Sequence, residues 1–176
     1  MTHTASILRR PQAGTYAPFY RRYVDLVGDE DIVALLVRNK EDMIHFLESI
    51  GWEKWEHAYA PGKWTLAEVV GHIIDGERVF AYRALRIARN DKTPLPGFEQ
   101  DDYVPFSGAA QRLPESLVRE YAAVREATIQ LFENFTDEMW DRVGMAAGSE
   151  VTPLALAYII AGHELHHRQV IEKHYL

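Results

Sequence analysis

The stretch GHELHHRQ, Gly162 to Gln169, places His163, Glu164, His166 and His167 within one and a half helical turns. Read as H-E-x-x-H it matches a zinc-protease signature, in which two histidines four residues apart hold the metal and the glutamate acts as base. A helix advances about 100° per residue, so His167 lies about 40° from His163. Leu156, Ile159, Ile160, Val170 and Ile171 fall within roughly 80° of the same line. The two histidines therefore occupy an apolar stripe where a core would otherwise take leucine. An unpartnered buried imidazole costs about 1–3 kcal/mol. Two chemistries meet that cost: a hydrogen bond to a buried carboxylate or carbonyl, or a shared metal ion. The i, i+4 spacing brings both rings to one point, as metal coordination requires. There is no cysteine, so any metal is held by His, Asp or Glu.

A third ligand has to come from another helix. EVVGHIIDGER offers His72, at the edge of an apolar arc through Val69, Ile73, Phe80, Ala84 and Ile87. Three histidines leave a coordination position for water or substrate. Asp75, one turn from His72, is the candidate general base or ligand-orienting group, with a solvated helix acid as the alternative. Arg83 and Arg86 could attract an anionic substrate, and Trp64 and Tyr82 could line the mouth. The protease reading fails on three counts. Only nine residues follow His167, too few for a downstream third ligand. Glu164 lies about 100° from His163, off the stripe. Arg168, four residues on, offers Glu164 an ordinary surface pair. His45, His57, His166 and His174 read as structural, and His3 as part of a disordered end.

Helices must position these groups. Asp29 can cap a helix over about Asp31 to Ile50, ended by Gly51. Thr65 to Glu68, TLAE, is a capping box that opens a second helix to about Arg89. Pro114 starts a third, to about Phe135, and Thr136 caps a short piece after it. GMAAGSE reads as a flexible turn. Thr152 and Pro153 open the last helix, to about His174. Residues 1–28 look irregular or locally helical. The loop over residues 90–112 holds three prolines, two glycines and a knot of acids. A loop of that length is either functional or a crossover between distant helix ends. The expectation is one all-α domain over residues 1–176, a four-helix bundle with a long crossover. LALAYIIAG in the last helix is apolar almost all round, which calls for burial on two sides, at a dimer interface or beneath the 90–112 loop.

The net charge is −7 and no basic stripe appears, which argues against nucleic acid and anionic membranes as partners. No apolar run is long enough to span a bilayer, and the N-terminus lacks the apolar core of a signal peptide. A cytoplasmic location is expected.

The segments GKWTLAEVVGHIIDGERVFAYRALRIARNDKTPLPGFEQDDY and LAYIIAGHELHHRQVIEKHY resemble the DinB-like superfamily, in the branch of metal-dependent hydrolases and thiol transferases. The resemblance extends over about residues 16–176. Its most specific parts are the H-x-x-D helix and the terminal H-x-x-x-H helix, and its three metal histidines match His72, His163 and His167. It implies an up-down-down-up bundle and one divalent metal: nickel, zinc, iron or manganese, with nickel or zinc favoured. It further implies homodimers and the joining of a low-molecular-weight thiol (bacillithiol, mycothiol or glutathione) to an electrophile. Hydrolysis and non-enzymatic binding of a metal or small molecule stand as alternatives.

Overall fold

Asp31 starts the first long helix, α1 (Ile32–Glu48), because its carboxylate accepts from the backbone N–H groups of Val33 at 2.9 Å and Ala34 at 3.1 Å. The cap falls two residues beyond Asp29, whose carboxylate pairs instead with Arg10 at 3.1 Å. These contacts come from a computed structural model that describes residues 9–176; His3 lies outside them. The capping box forms as expected: Thr65 accepts from the Glu68 N–H while Glu68 accepts from the Thr65 N–H, opening α2 (Leu66–Ala88). Pro114 opens α3 (Pro114–Glu133). Thr152 accepts from the Ala155 N–H and Pro153 supplies the first turn of α4 (Pro153–His174).

The buried apolar residues gather in two clusters, and membership in them sets the direction of each helix. One cluster takes Ile32, Leu35 and Leu36 from the start of α1, Ala84 and Ile87 from the end of α2, Ile129 and Phe132 from the end of α3, and Leu154 to Ala161 from the start of α4. The other takes Met43 and Leu47 from the end of α1, Leu66 and Val70 from the start of α2, Leu117 and Tyr121 from the start of α3, and Ile171 from the end of α4. Helices α1 and α4 thus run one way and α2 and α3 the other, which is up-down-down-up. Helix α2 packs on α4 and α3, and α1 packs on α3 and α4.

Because α2 and α3 are parallel, the connection between them must travel the bundle's length, roughly 30 Å for a twenty-residue helix. It does so through three short helical turns, Gln100–Tyr103, Val104–Phe106 and Ala109–Gln111. Leu95, Val104 and Ala109 anchor it in the core. The expected flexible turn GMAAGSE is instead an antiparallel hairpin, β1 (Gly144–Ala146) and β2 (Ser149–Val151). Its two-residue loop, Ala147 at φ 50° and Gly148 at φ 78°, has the left-handed backbone that matches strand twist. Leu95 pairs with this hairpin, its N–H donating to the Met145 carbonyl at 2.9 Å.

On a second side of α4 lies the short turn Arg21–Val24, whose Tyr23 and Val24, with Val27, join the same apolar cluster. Gly162 permits this approach, since a Cβ there would sit 2.0 Å from the Tyr23 carbonyl oxygen. Among the described residues no helix is long and apolar enough to cross a membrane.

Candidate metal centre

Helix α4 carries His163 and His167 on the face it turns to α2, and α2 carries His72 opposite them. His72 and His163 are buried at 4% exposure each, and His167 is half-buried. The Nε2 atoms of His72 and His163 are 2.9 Å apart, and those of His167 and His163 are 3.1 Å apart. Among the described residues this is the one His, Asp or Glu group close enough to hold a metal, its ligand atoms all within 4.8 Å. Gly76 lets the rings close in, because a Cβ there would lie 3.1 Å from His163 Cε1. The three residues singled out from the sequence are therefore brought together.

The donor set fits a cation. An imidazole nitrogen has one in-plane direction in which to donate or accept. His163 Nε2 can satisfy one of its two neighbours by hydrogen bonding, whereas a cation at the shared point serves all three. Bonds of about 2.0–2.1 Å set adjacent nitrogens roughly 2.9–3.4 Å apart. Two pairs already fall in that range, and the third lies within 4.8 Å. Burial pushes the His72 pKa down to about 4, against a nearby Asp101 carboxylate that acts to raise it. Burial, and then the neighbouring imidazoles, hold His163 and His167 well below the ordinary value. All three rings are neutral at pH 7, the state that binds metal. The Nδ1 atom of His167 is buried with no hydrogen-bond partner among the described residues.

His72 and His163 open on a cleft of about 400 Å³ whose walls come from five parts of the chain, Ala147 of the hairpin among them. Helix α2 contributes His72, Phe80 and Arg83, and α4 contributes His163. The crossover contributes Gly97 to Asp101, and the N-terminal segment contributes Phe19, Tyr20 and Tyr23. The Tyr23 ring meets the His163 ring edge-on at 5.3 Å, and Phe80 approaches it at 5.9 Å. Trp64 lies 5.0 Å from the His72 ring on the other side. The acidic knot of the crossover thus reaches the histidines, and the loop is both a crossover and a wall of the site. The tyrosines of the N-terminal segment carry no periodic signal that would have placed them there.

Asp75 is not brought to the histidines. It lies 3.8 Å from Arg78 and lines a separate pocket with Arg112 and Glu120, where burial raises its pKa. Arg86 is committed to Asp91 and to the exposed Tyr82, so neither Arg86 nor Tyr82 reaches the cleft. His166 stacks edge-on against His167 at 5.1 Å but is not part of the converging set. His174 stacks on Tyr59 at 4.7 Å, and His45 lies exposed with Nδ1 2.9 Å from the Glu41 carbonyl.

Glu164 corrects an expectation. It does not pair with Arg168, which bonds Glu172 at 3.1 Å. Glu164 is 2% exposed and lies 2.7 Å from Arg125 Nη2, while the Tyr121 hydroxyl donates to it. Arg125 also forks onto Glu77, at 2.8 and 2.9 Å. The reason is that α4 is buried on more than one face, so a residue off the histidine line still faces the interior. Burial raises the Glu164 pKa against the opposing Arg125 charge. Burial would lower the Arg125 pKa, but the two carboxylates outweigh it and hold it well above the usual value. Glu164 is therefore turned away from the histidines and is not placed as a metal-site base.

Comparison with known proteins agrees with this architecture. The model of the DinB superfamily matches residues 35–171. A protein of Oceanobacillus iheyensis, inferred from its name to be a metal-dependent hydrolase, is 25% identical over 124 residues, 69% of this chain and 70% of its own. YfiT from Bacillus subtilis, described as an inferred metal-dependent hydrolase with an unusual four-helix bundle topology, superposes with a TM-score of 0.65. That match has 13% identity and covers 94% of this chain and 93% of YfiT. The mycothiol-dependent maleylpyruvate isomerase superposes with a TM-score of 0.66 at 11% identity, over 82% of this chain and 61% of that one.

Proposed function

We infer the function from a premise now in place: this chain belongs to the DinB superfamily. We propose that it is a metal-dependent enzyme in which His72, His163 and His167 hold one divalent ion, nickel or zinc before iron or manganese. The reaction proposed is transfer of a low-molecular-weight thiol to a small electrophile. The observation that carries this reading is the convergence of three neutral imidazoles, two of which, His72 and His163, line a cleft of small-molecule size. A divalent ion at that point supplies Lewis acidity, which makes a thiol or a water nucleophilic near neutral pH. The chain has no cysteine, so the sulfur comes with the substrate. A structural neighbour that depends on mycothiol supports the thiol reading.

The chain's own groups hold, orient and accept a proton. Phe80 and Phe98 form an apolar wall beside the histidines. Asp101 lines the cleft and its charge is felt at His72, so it is better placed than Asp75 to take the thiol or water proton. The same carboxylate would serve hydrolysis, the second reading, with water in place of thiol, in line with the names of two relatives. A homodimer is also proposed.

Elemental analysis of protein purified without an affinity tag tests the metal. About one divalent ion per chain is expected, lost in His72→Ala, His163→Ala and His167→Ala. Conjugation of bacillithiol, mycothiol or glutathione to monochlorobimane tests the reaction. Wild type should exceed the uncatalysed rate and His163→Ala should not; equal rates would remove the transferase claim.

A further inference from the structure

Arg83 is a buried cation with no carboxylate. It is 3% exposed and sits in the wall of the histidine cleft. Among the described residues its one hydrogen bond runs from Nη2 to the Pro96 carbonyl of the crossover, at 2.8 Å. Among the described residues no acid pairs with it, although Glu99 and Asp101 line the same cleft. The other buried arginine among the described residues is answered by charge: Arg125 meets both Glu77 and Glu164. A guanidinium carries five N–H donors in a planar fork that matches a carboxylate. Removing one from water without a counter-charge is costly unless an anion completes it.

Its surroundings describe the rest of the ligand. The Arg83 Cζ lies 5.9 Å from the Phe80 ring centre and 5.8 Å from that of Phe98. Phe80 in turn lies 5.9 Å from the His163 ring. His72, Phe80 and Arg83 share one face of α2, and a helical side chain leans toward the N-terminus, so Arg83 leans back toward the histidines. The cleft therefore presents, in order, a cationic anchor, an apolar ring wall and the imidazoles of His72 and His163.

We propose that Arg83 is the specificity residue of this cleft. It binds the carboxylate of a small substrate whose apolar body lies along Phe80 and Phe98 and whose reacting end reaches the histidines. The acids at the exposed rim orient the molecule, since they repel its carboxylate toward Arg83. This rests on the cleft being the substrate site of the proposed enzyme, but it concerns binding and is tested without turnover.

The test is calorimetric titration with 4-phenylbutyrate and its neutral amide, 4-phenylbutyramide. It uses both the metal-loaded and the chelator-treated protein. Wild type should bind the carboxylate about tenfold or more tightly than the amide, the gain of a charge-assisted pair. Arg83→Gln and Arg83→Met should bind both compounds equally, and Arg83→Lys should keep part of the preference. Thermal melting identifies any variant that has not folded, and Arg83→Lys then carries the comparison with wild type. A role limited to stapling Pro96 predicts equal weakening of carboxylate and amide, which overturns the proposal. So does a preference that survives in Arg83→Met, absence of carboxylate binding in wild type, or a preference that vanishes only when metal is removed. The elemental analysis above reports separately on the metal, so failure of one reading does not disguise failure of the other.

Discussion

The three imidazoles are neutral for a physical reason that has its own pH signature. Burial lowers the His72 pKa from 6.5 to about 4, and burial with the neighbouring imidazoles holds His163 and His167 well below the ordinary value. In the metal-free protein the unfolded chain takes up protons as pH falls through 6.5, while the folded chain resists. Stability from these groups is therefore complete above pH 6.5 and is lost as pH falls from 6.5 toward 4. Urea unfolding of chelator-treated protein at pH 7, 5.5 and 4.5 should show this decline. His163→Gln should show a shallower one. Parallel declines in the two proteins would mean that the buried rings do not carry the effect.

At the level of elements, the site depends on how closely the N-terminal segment sits on α4. Gly162 is the point of contact, with a would-be Cβ 2.0 Å from a backbone carbonyl. Alanine gains about 1 kcal/mol of helix propensity over glycine. That gain loses to the overlap, because the obstacle is main chain and no rotamer relieves it; overpacking costs about 1–3 kcal/mol. Gly162→Ala should therefore lower the denaturation midpoint and speed proteolytic cleavage before Val27, with weaker ligand binding because Tyr23 lines the cleft. A raised midpoint with unchanged proteolysis would contradict the packing described.

Across the whole molecule, Glu77, Arg125 and Glu164 join the middles of α2, α3 and α4 between the two apolar clusters. A buried ion network holds geometry more than it adds net stability, yet removing one member leaves its partners uncompensated. Arg125→Met should cost about 3–5 kcal/mol in denaturant unfolding. Replacing all three with Leu, Met and Leu should recover much of that loss. Glu164→Gln should have the same metal content as wild type, since Glu164 faces Arg125 and Tyr121 and not the histidines. Loss of metal in Glu164→Gln with the fold intact would reinstate it as a metal-site residue.

The residues whose chemistry is local were legible in the chain. The period of the apolar positions placed His163 and His167 on one core-facing line, and the capping box fixed the start of the helix that carries His72. Each of these follows from spacing along one helix. Only the tertiary structure decided what faces that line. Asp75 sits mid-way along α2 and Asp101 in a short turn of the crossover, and nothing in their spacing says that the crossover brings Asp101 to the cleft while α2 turns Asp75 away. Glu164 looked like a surface partner for Arg168 because helical angle alone does not tell how many faces of a helix are covered. Burial of the second face by Tyr23, Val24 and Val27 is a contact between segments more than a hundred residues apart, and such contacts are set by packing, which periodicity does not encode.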